Sequence, residues 1–156
     1  MCTVDFLSNY RNIQKEGIID EGASLKLEHA TPVAGFLVRP NAPNHGNHPN
    51  SFIWTGKFIT QPGKADDVIA ALKENIPYIE SSEPETLSFV VLKGSDEADA
   101  VYVWERYTSE KALKEIHFTS DGYLKMRAKV GPLLKNRDIQ GFIEETGFLT
   151  KQGGAI

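Results

Sequence analysis

The residue of this sequence best suited to acid–base chemistry is His117, near the end of a segment with helical spacing. A neutral imidazole can accept a proton near pH 7, and a pocket can shift its pKa into the working range. Tyr123 and Arg127 follow one helical turn apart, and an Arg there could hold an enolate or a carboxylate. Two structural alternatives stay open: His117 could stabilise a helix C-terminus, and Arg127 could form a surface salt bridge.

Aromatic side chains near these residues could form the walls of a pocket for a flat ligand. The predicted catalytic residues are His117 and Trp104, and the predicted substrate-binding residues are Trp54, Tyr102, Phe118, Tyr123 and Arg127. The alternative for each aromatic residue is packing in the core, because aromatic side chains commonly fill the space beneath a sheet.

Strand and helix signals indicate which elements position these side chains. Residues 100–107 predict a strand, because β-branched and aromatic residues dominate there. Alternation gives this strand two faces, one with Val101, Val103 and Glu105 and the other with Tyr102, Trp104 and Arg106. Ser109 and Ser120 are predicted helix N-caps. A helix packed on the Trp104 face would bring its indole and the imidazole of His117 into one pocket.

Three further strands and one helix surround this unit. Ser51–Thr60, Thr86–Lys93 and Arg137–Leu149 predict strands, and Lys64–Glu80 predicts an amphipathic helix that Pro77 kinks or ends. The order β-α-β-β-α-β is the ferredoxin-like plan of an α+β fold. Both faces of the sheet carry apolar side chains, so we expect a second copy to cover the face without helices.

The stretch WERYTSEKALKEIHFTSDGY resembles the third strand and following helix of the antibiotic biosynthesis monooxygenase (ABM) family of dimeric α+β barrels. In that family a strand ends in a Trp-Glu or Tyr-Glu pair, a Ser-Glu helix start follows, a His stands near the helix end, and a Ser precedes the next helix. Here these are Trp104–Glu105, Ser109–Glu110, His117 and Ser120. The resemblance extends over Phe52–Leu149 and leaves the first fifty or so residues outside it.

The resemblance implies a range of activities, because the family contains cofactor-free oxygenases, haem-degrading enzymes, isomerase-like members and proteins without known activity. The haem-degrading relatives carry an Asn on the first strand and a His ligand early in the last long helix. The matching positions here are Gly56 and Arg127, so we predict no cofactor.

Composition and charge argue against several classes of partner. The net charge of −4 gives no electrostatic basis for binding nucleic acid or an anionic membrane. Cys2 is the single cysteine and cannot form an internal disulfide, and no apolar run is long enough to span a bilayer, so a cytoplasmic protein is predicted. His45 and His48 lie in a loop-like Asn/Pro/Gly stretch without a nearby acidic or cysteine ligand, so no metal site is predicted.

The sequence divides into three predicted parts. Residues 1–50 form an N-terminal arm and linker that pack on the core or on a partner subunit. Residues 51–149 form the ABM-like dimeric barrel domain, and residues 150–156 form a flexible tail.

The predicted function is that of a cofactor-independent monooxygenase-like enzyme of secondary metabolism. Its substrate would be an aromatic or polyketide-type small molecule, with molecular oxygen as the candidate co-substrate and His117 as the base. Two alternatives stay open: a cofactor-free cyclase or isomerase on a similar substrate, and a non-catalytic dimeric module that binds a hydrophobic small molecule.

Overall fold

Segments whose side chains point alternately to two faces form one antiparallel sheet, and helices cover one of these faces. The computed structural model describes residues 28–39 and 51–145. Its strands are β1 (Ala30–Phe36), β2 (Phe52–Thr60), β3 (Thr86–Gly94), β4 (Ala100–Tyr107) and β5 (Leu134–Ile143). Its helices are α1 (Ala65–Ser82) and α2 (Asp121–Val130), with a π-helical turn at Ala112–Ile116 and 3-10 turns at His117–Thr119 and Gly131–Leu133.

The strand order across the sheet is β1-β3-β4-β2-β5, and every neighbouring pair is antiparallel. Strands β2 to β5 with α1 and α2 follow the ferredoxin-like order, so the predicted α+β fold class is confirmed. Strand β1 adds a further strand beside β3 and comes from the segment predicted as an arm. Pro32 is tolerated within β1 because an edge strand can lack one backbone donor.

Helix α1 packs an apolar stripe that includes Val68, Leu72 and Ile79 against the sheet. Of the two effects predicted for Pro77, a kink or an end of the helix, the second is wrong, because α1 continues through Pro77 to Ser82. Proline removes one helical N–H, but Pro77 and the residue one turn before it, Lys73, are both exposed. Water can therefore bind the carbonyl that loses its partner.

The helices cover the sheet face that carries Val101 and Val103, and these residues form the core with α1 and strand β3. The opposite face, with Tyr102 and Trp104, has no helix over it in the described parts of the chain and is half-buried. This choice of face decides which side chains can meet His117.

The edge strand β5 is exposed along most of its length. Ile139, Phe142 and Ile143 leave 41%, 47% and 65% of their surface accessible. No helix in residues 28–39 or 51–145 is long and apolar enough to cross a membrane.

Candidate functional site

A cavity of about 250 Å³ lies between the sheet and helix α2. Strands β2, β4 and β5 form its floor, and the 3-10 turn after the π-helical turn, together with α2, forms its roof. The polar side chains on its wall belong to Glu105, His117, Tyr123, Arg127 and Arg137. Its apolar wall includes Trp54, Phe58, Phe118, Met126 and Ile139.

The irregular helix before α2 places His117 on this wall. Ser109 accepts a hydrogen bond from the N–H of Ala112 at 3.1 Å, which confirms it as a cap. The chain then widens into the π-helical turn and tightens into the 3-10 turn that begins at His117. Such changes of helical pitch re-aim side chains and are common at functional sites. The imidazole is buried as a result, with 1% of the residue exposed.

His117 is held by a buried carboxylate that lies 34 residues earlier in the chain. Its Nδ1 atom is 2.7 Å from Oε2 of Glu83. The other oxygen, Oε1, accepts a hydrogen bond from the Ser120 hydroxyl at 2.7 Å, and Thr86 donates to Oε2 at 3.2 Å. Ser120 also accepts from the N–H of Tyr123, which confirms it as the N-cap of α2. One carboxylate thus joins the imidazole to the start of α2.

The electrostatics of this pair set the protonation of the imidazole. Burial raises the pKa of Glu83, but the hydrogen bond from His117 and its charge outweigh burial and leave that pKa below its usual value. Burial lowers the pKa of His117, but the hydrogen bond to Glu83 and the charges of Glu105 and Glu83 outweigh it, so the pKa is raised. An ionised carboxylate only accepts hydrogen bonds, so Nδ1 carries a proton and Nε2 is the nitrogen that can exchange one.

Glu105 is a second buried carboxyl group, with 4% of its surface exposed, and it lies on the cavity wall itself. Its Oε2 accepts a hydrogen bond from the hydroxyl of Tyr107, and burial raises its pKa. Sequence reasoning missed both Glu83 and Glu105 as site residues. For Glu105 a signal existed, since it is the charged residue on a strand face otherwise occupied by Val101 and Val103. For Glu83 the chain offers no local signal.

Aromatic rings surround the imidazole and continue across the cavity. The ring centroid of His117 lies 5.0 Å from that of Tyr123 and 5.8 Å from that of Phe118. Phe118 in turn lies 6.3 Å from Trp54, edge to face. Burial raises the pKa of Tyr123, and the nearby guanidinium groups of Arg127 and Arg137 only partly oppose this. Its hydroxyl therefore keeps its proton and can donate a hydrogen bond.

The structure brings five of the seven predicted site residues to this cavity: His117, Trp54, Phe118, Tyr123 and Arg127. Arg127 is exposed and lies on the solvent side of the wall. The described residues contain no ion pair for it at the surface. Its assigned role as a substrate-binding residue stays a prediction.

The prediction that Trp104 and His117 line one pocket is wrong. Trp104 and Tyr102 lie on the other side of the sheet, where they line a second depression with Thr55, Lys57 and Gln140. Alternation along β4 separates Trp104 from Glu105, and the helices cover the Glu105 side. The predicted roles of Trp104 in catalysis and of Tyr102 in binding this ligand therefore lose their geometric basis.

The two histidines that the sequence analysis considered as metal ligands, His45 and His48, lie outside the described residues. Within residues 28–39 and 51–145, no three His, Cys, Asp or Glu side chains are grouped as a metal site would require.

The fold and this site define a ferredoxin-like α+β protein with a ligand-sized cavity under its helices. Residues 51–129 match the model of the family described as antibiotic biosynthesis monooxygenase. This match spans just over half of the chain, and the protein belongs to that family. The resemblance expected from the sequence is thereby confirmed. A search of curated proteins finds no match.

Solved structures give the same fold. A candidate antibiotic biosynthesis monooxygenase from Chloroflexus aurantiacus J-10-fl is 24% identical, with a TM-score of 0.55 over 62% of this chain and 95% of its own. Rv0793 from Mycobacterium tuberculosis is also 24% identical, with a TM-score of 0.56 over 62% of this chain and 97% of its own. A candidate monooxygenase from Lactobacillus acidophilus NCFM is 19% identical, with a TM-score of 0.56 over 65% of this chain and half of that longer chain. At these identities the likeness shows the fold alone.

Proposed function

We propose that the protein is a cofactor-independent oxygenase that acts on a small aromatic substrate with an ionisable hydroxyl group. The observation that carries the proposal is the juxtaposition of a buried His117–Glu83 pair with an aromatic cavity. The family supports the reaction class, and the cavity supports the type of substrate.

The size and walls of the cavity favour a flat molecule of one or two fused rings. An apolar cavity of about 150 Å³ holds one benzene ring. The cavity here measures about 250 Å³, so a naphthol-like or substituted hydroquinone-like ring fits its volume. Trp54 and Phe118 offer faces and edges on which such a ring can stack. A polyketide-type substrate with three or more rings would need the cavity to widen.

His117 is the proposed base, acting through Nε2. Glu83 keeps the proton on Nδ1, so neutral His117 presents a lone pair on the other nitrogen. The raised pKa of His117 makes this nitrogen a stronger base, but only after the imidazolium has lost its proton. The rate is therefore expected to rise with pH through the raised pKa. Tyr123 and Arg127, which line the cavity, are the groups proposed to stabilise the oxygen anion that forms.

The oxygenation step needs only molecular oxygen as co-reactant. Removal of the hydroxyl proton gives an electron-rich anion whose ring carbon forms a bond to O₂, and protonation yields a hydroperoxide. Loss of water then breaks the O–O bond and leaves one oxygen atom on the ring as a quinone. The aromatic and aliphatic side chains of the wall favour this path because they replace part of the water around the anion.

Oxygen uptake and quinone absorbance test the proposal directly. The probes are 1,4-dihydroxynaphthalene, 1-naphthol and a substituted hydroquinone, each corrected for spontaneous oxidation. We expect His117→Gln to lower turnover by about 100-fold or more, as loss of a general base commonly does. His29→Gln is the matched control, because His29 is exposed and does not line the cavity. Its Nδ1 atom lies 2.6 Å from a carboxylate oxygen of Asp96.

The two alternatives give different results in the same assay. A cyclase or isomerase would convert its substrate equally well without oxygen. A binding module would bind the probes without turnover, and His117→Gln would leave their affinity nearly intact. Either result, or a wild-type rate insensitive to His117→Gln, would overturn the oxygenase proposal.

We also propose that the active form is a homodimer assembled through the sheet face that carries Trp104. Half-buried aromatic and aliphatic side chains on that face, and the exposed Phe142 on β5, support this. Sedimentation velocity of the full chain tests it, and a monomer at micromolar concentration would contradict it.

A further inference from the structure

Helix α1 ends beside the site, and a cation at this C-terminal end would stabilise the helix. The last carbonyls of a helix lack partners within the helix, and the partial negative charge at that end attracts cations. The last turn of α1 contains no basic residue. At its C-cap, the N–H of Glu83 binds the carbonyl of Ile79 at 3.1 Å. The carbonyl of Glu83 likewise accepts from the N–H of Thr86 at 3.0 Å, and each of these carbonyl oxygens can accept a second hydrogen bond from elsewhere in the fold.

Arg39, which follows strand β1, provides the missing cation. Its Nη2 atom donates to the carbonyls of Ile79 at 2.9 Å and Glu83 at 2.5 Å, and its Nη1 donates to the carbonyl of Glu80. Its Nε donates to the carbonyl of Thr86 at 3.1 Å. The side chain is buried, with 8% of the residue exposed. One rigid guanidinium group therefore binds the backbone on both sides of Glu83.

The same short segment, residues 79–86, carries the carboxylate that binds His117. Its backbone carbonyls face Arg39, while the Glu83 carboxylate reaches Nδ1 of His117 at 2.7 Å. Rotation of this turn would move the carboxylate, because backbone and side chain are joined by only a few bonds. A planar donor group that binds several carbonyls restricts such rotation more than a single point charge can.

We propose that Arg39 is a positioning residue, which fixes the 79–86 turn so that Glu83 holds the imidazole of His117 in its working orientation and tautomer. Arg39 lies outside residues 51–129, the part that matches the family. This segment thus contributes to the site although it does not touch the cavity. The inference rests on the proposed role of His117 as a base.

The titration of His117 in the full chain measures the effect without any turnover. The chain has four histidines, and the spectrum of His117→Gln assigns the imidazole signal in a heteronuclear NMR titration. In Arg39→Gln the carboxylate of Glu83 is held less firmly, while the imidazole of His117 stays buried. We expect the midpoint of His117 to fall by about half a pH unit or more. The rising limb of the rate–pH profile should move to lower pH by the same amount.

Two further variants make the experiment decisive. Arg39→Lys keeps the positive charge but loses the planar guanidinium group that binds several carbonyls. We expect the titration midpoint of His117 in this variant to lie between the midpoints in the wild type and in Arg39→Gln. Lys93→Gln is the control, because Lys93 binds Asp66, which lies at the other end of α1. The Nζ atom of Lys93 is 2.5 Å from Oδ1 of Asp66. The midpoint in this control should not change.

A folded Arg39→Gln or Arg39→Lys protein in which His117 titrates with the wild-type midpoint would overturn the proposal. If Arg39→Gln does not fold, Arg39→Lys decides alone. Failure of the oxygenase function is a separate result, because it appears as absent turnover in the wild type and leaves the titration unaffected.

Discussion

Replacing Glu83 by Gln tests the site at its most buried point. The glutamine keeps the shape of the side chain but can donate a hydrogen bond to Nδ1 of His117. The imidazole can then accept this bond only by moving its proton to Nε2. The nitrogen proposed as the base would thereby lose its lone pair. An equivalent carboxylate-to-amide change beside a catalytic histidine lowers turnover by about 10⁴-fold, so we expect a loss of about 10³- to 10⁴-fold here.

The cost in stability follows from the hydrogen bonds that the carboxylate makes. Glu83 accepts bonds from His117, Ser120 and Thr86, and both members of its pair with His117 have side chains no more than 2% exposed. Hydrogen bonds to a charged group contribute about 1.5–3 kcal/mol each, but the glutamine retains one accepting oxygen and His117 can become neutral. We therefore expect a loss of about 2–3 kcal/mol in the free energy of unfolding.

The loss should depend on pH in a defined direction. The lowered pKa of Glu83 stabilises the fold above the usual value of 4.5, and this contribution disappears as the pH falls through the lowered pKa. The raised pKa of His117 stabilises the fold below the usual value of 6.5, and this contribution disappears as the pH rises through the raised pKa. The difference between wild type and Glu83→Gln should be largest between these two values.

Urea denaturation at three pH values and oxygen uptake with 1,4-dihydroxynaphthalene measure both effects. Glu80→Gln is the matched control, because Glu80 lies on the same helix end with an exposed side chain. A Glu83→Gln protein with wild-type turnover would refute the assignment of Nε2 as the base. A pH-independent difference in stability would refute the ionised pair.

Four further changes give distinct outcomes. Glu105→Gln removes a negative charge that raises the pKa of His117, so the rising limb of the rate–pH profile should move to lower pH; an unchanged profile would contradict this. Gly122→Ala would place a Cβ atom 2.3 Å from the ring of Tyr78, so urea denaturation should show a loss of about 1–3 kcal/mol. Trp54→Ala should raise the KM for the naphthol probes in steady-state assays, whereas Trp104→Ala should weaken the dimer in sedimentation experiments.

In residues 51–143, local patterns were sufficient to predict the order of strands and helices and several of the residues at which they begin or end. Strand β4 has the predicted bounds because β-branched and aromatic residues occupy five of the eight positions from Ala100 to Tyr107. The caps at Ser109 and Ser120 were predicted because a hydroxyl before a helix satisfies an unpaired backbone N–H. That Pro77 does not end α1 could not be predicted locally, because the cost of a proline in a helix depends on whether its side of the helix faces water.

The sequence by itself determined the ferredoxin-like order of elements and placed His117 near the end of a segment with helical spacing. It also determined that alternation separates Trp104 from Glu105, but both faces of the sheet carry apolar side chains, so alternation could not tell which face the helices cover. Only the tertiary structure decided that Glu105 faces the cavity and Trp104 does not. It also decided that Glu83 binds His117 and that Arg39 binds the turn around Glu83. Such pairs join residues tens of positions apart, and their meeting depends on how the chain packs rather than on any local spacing.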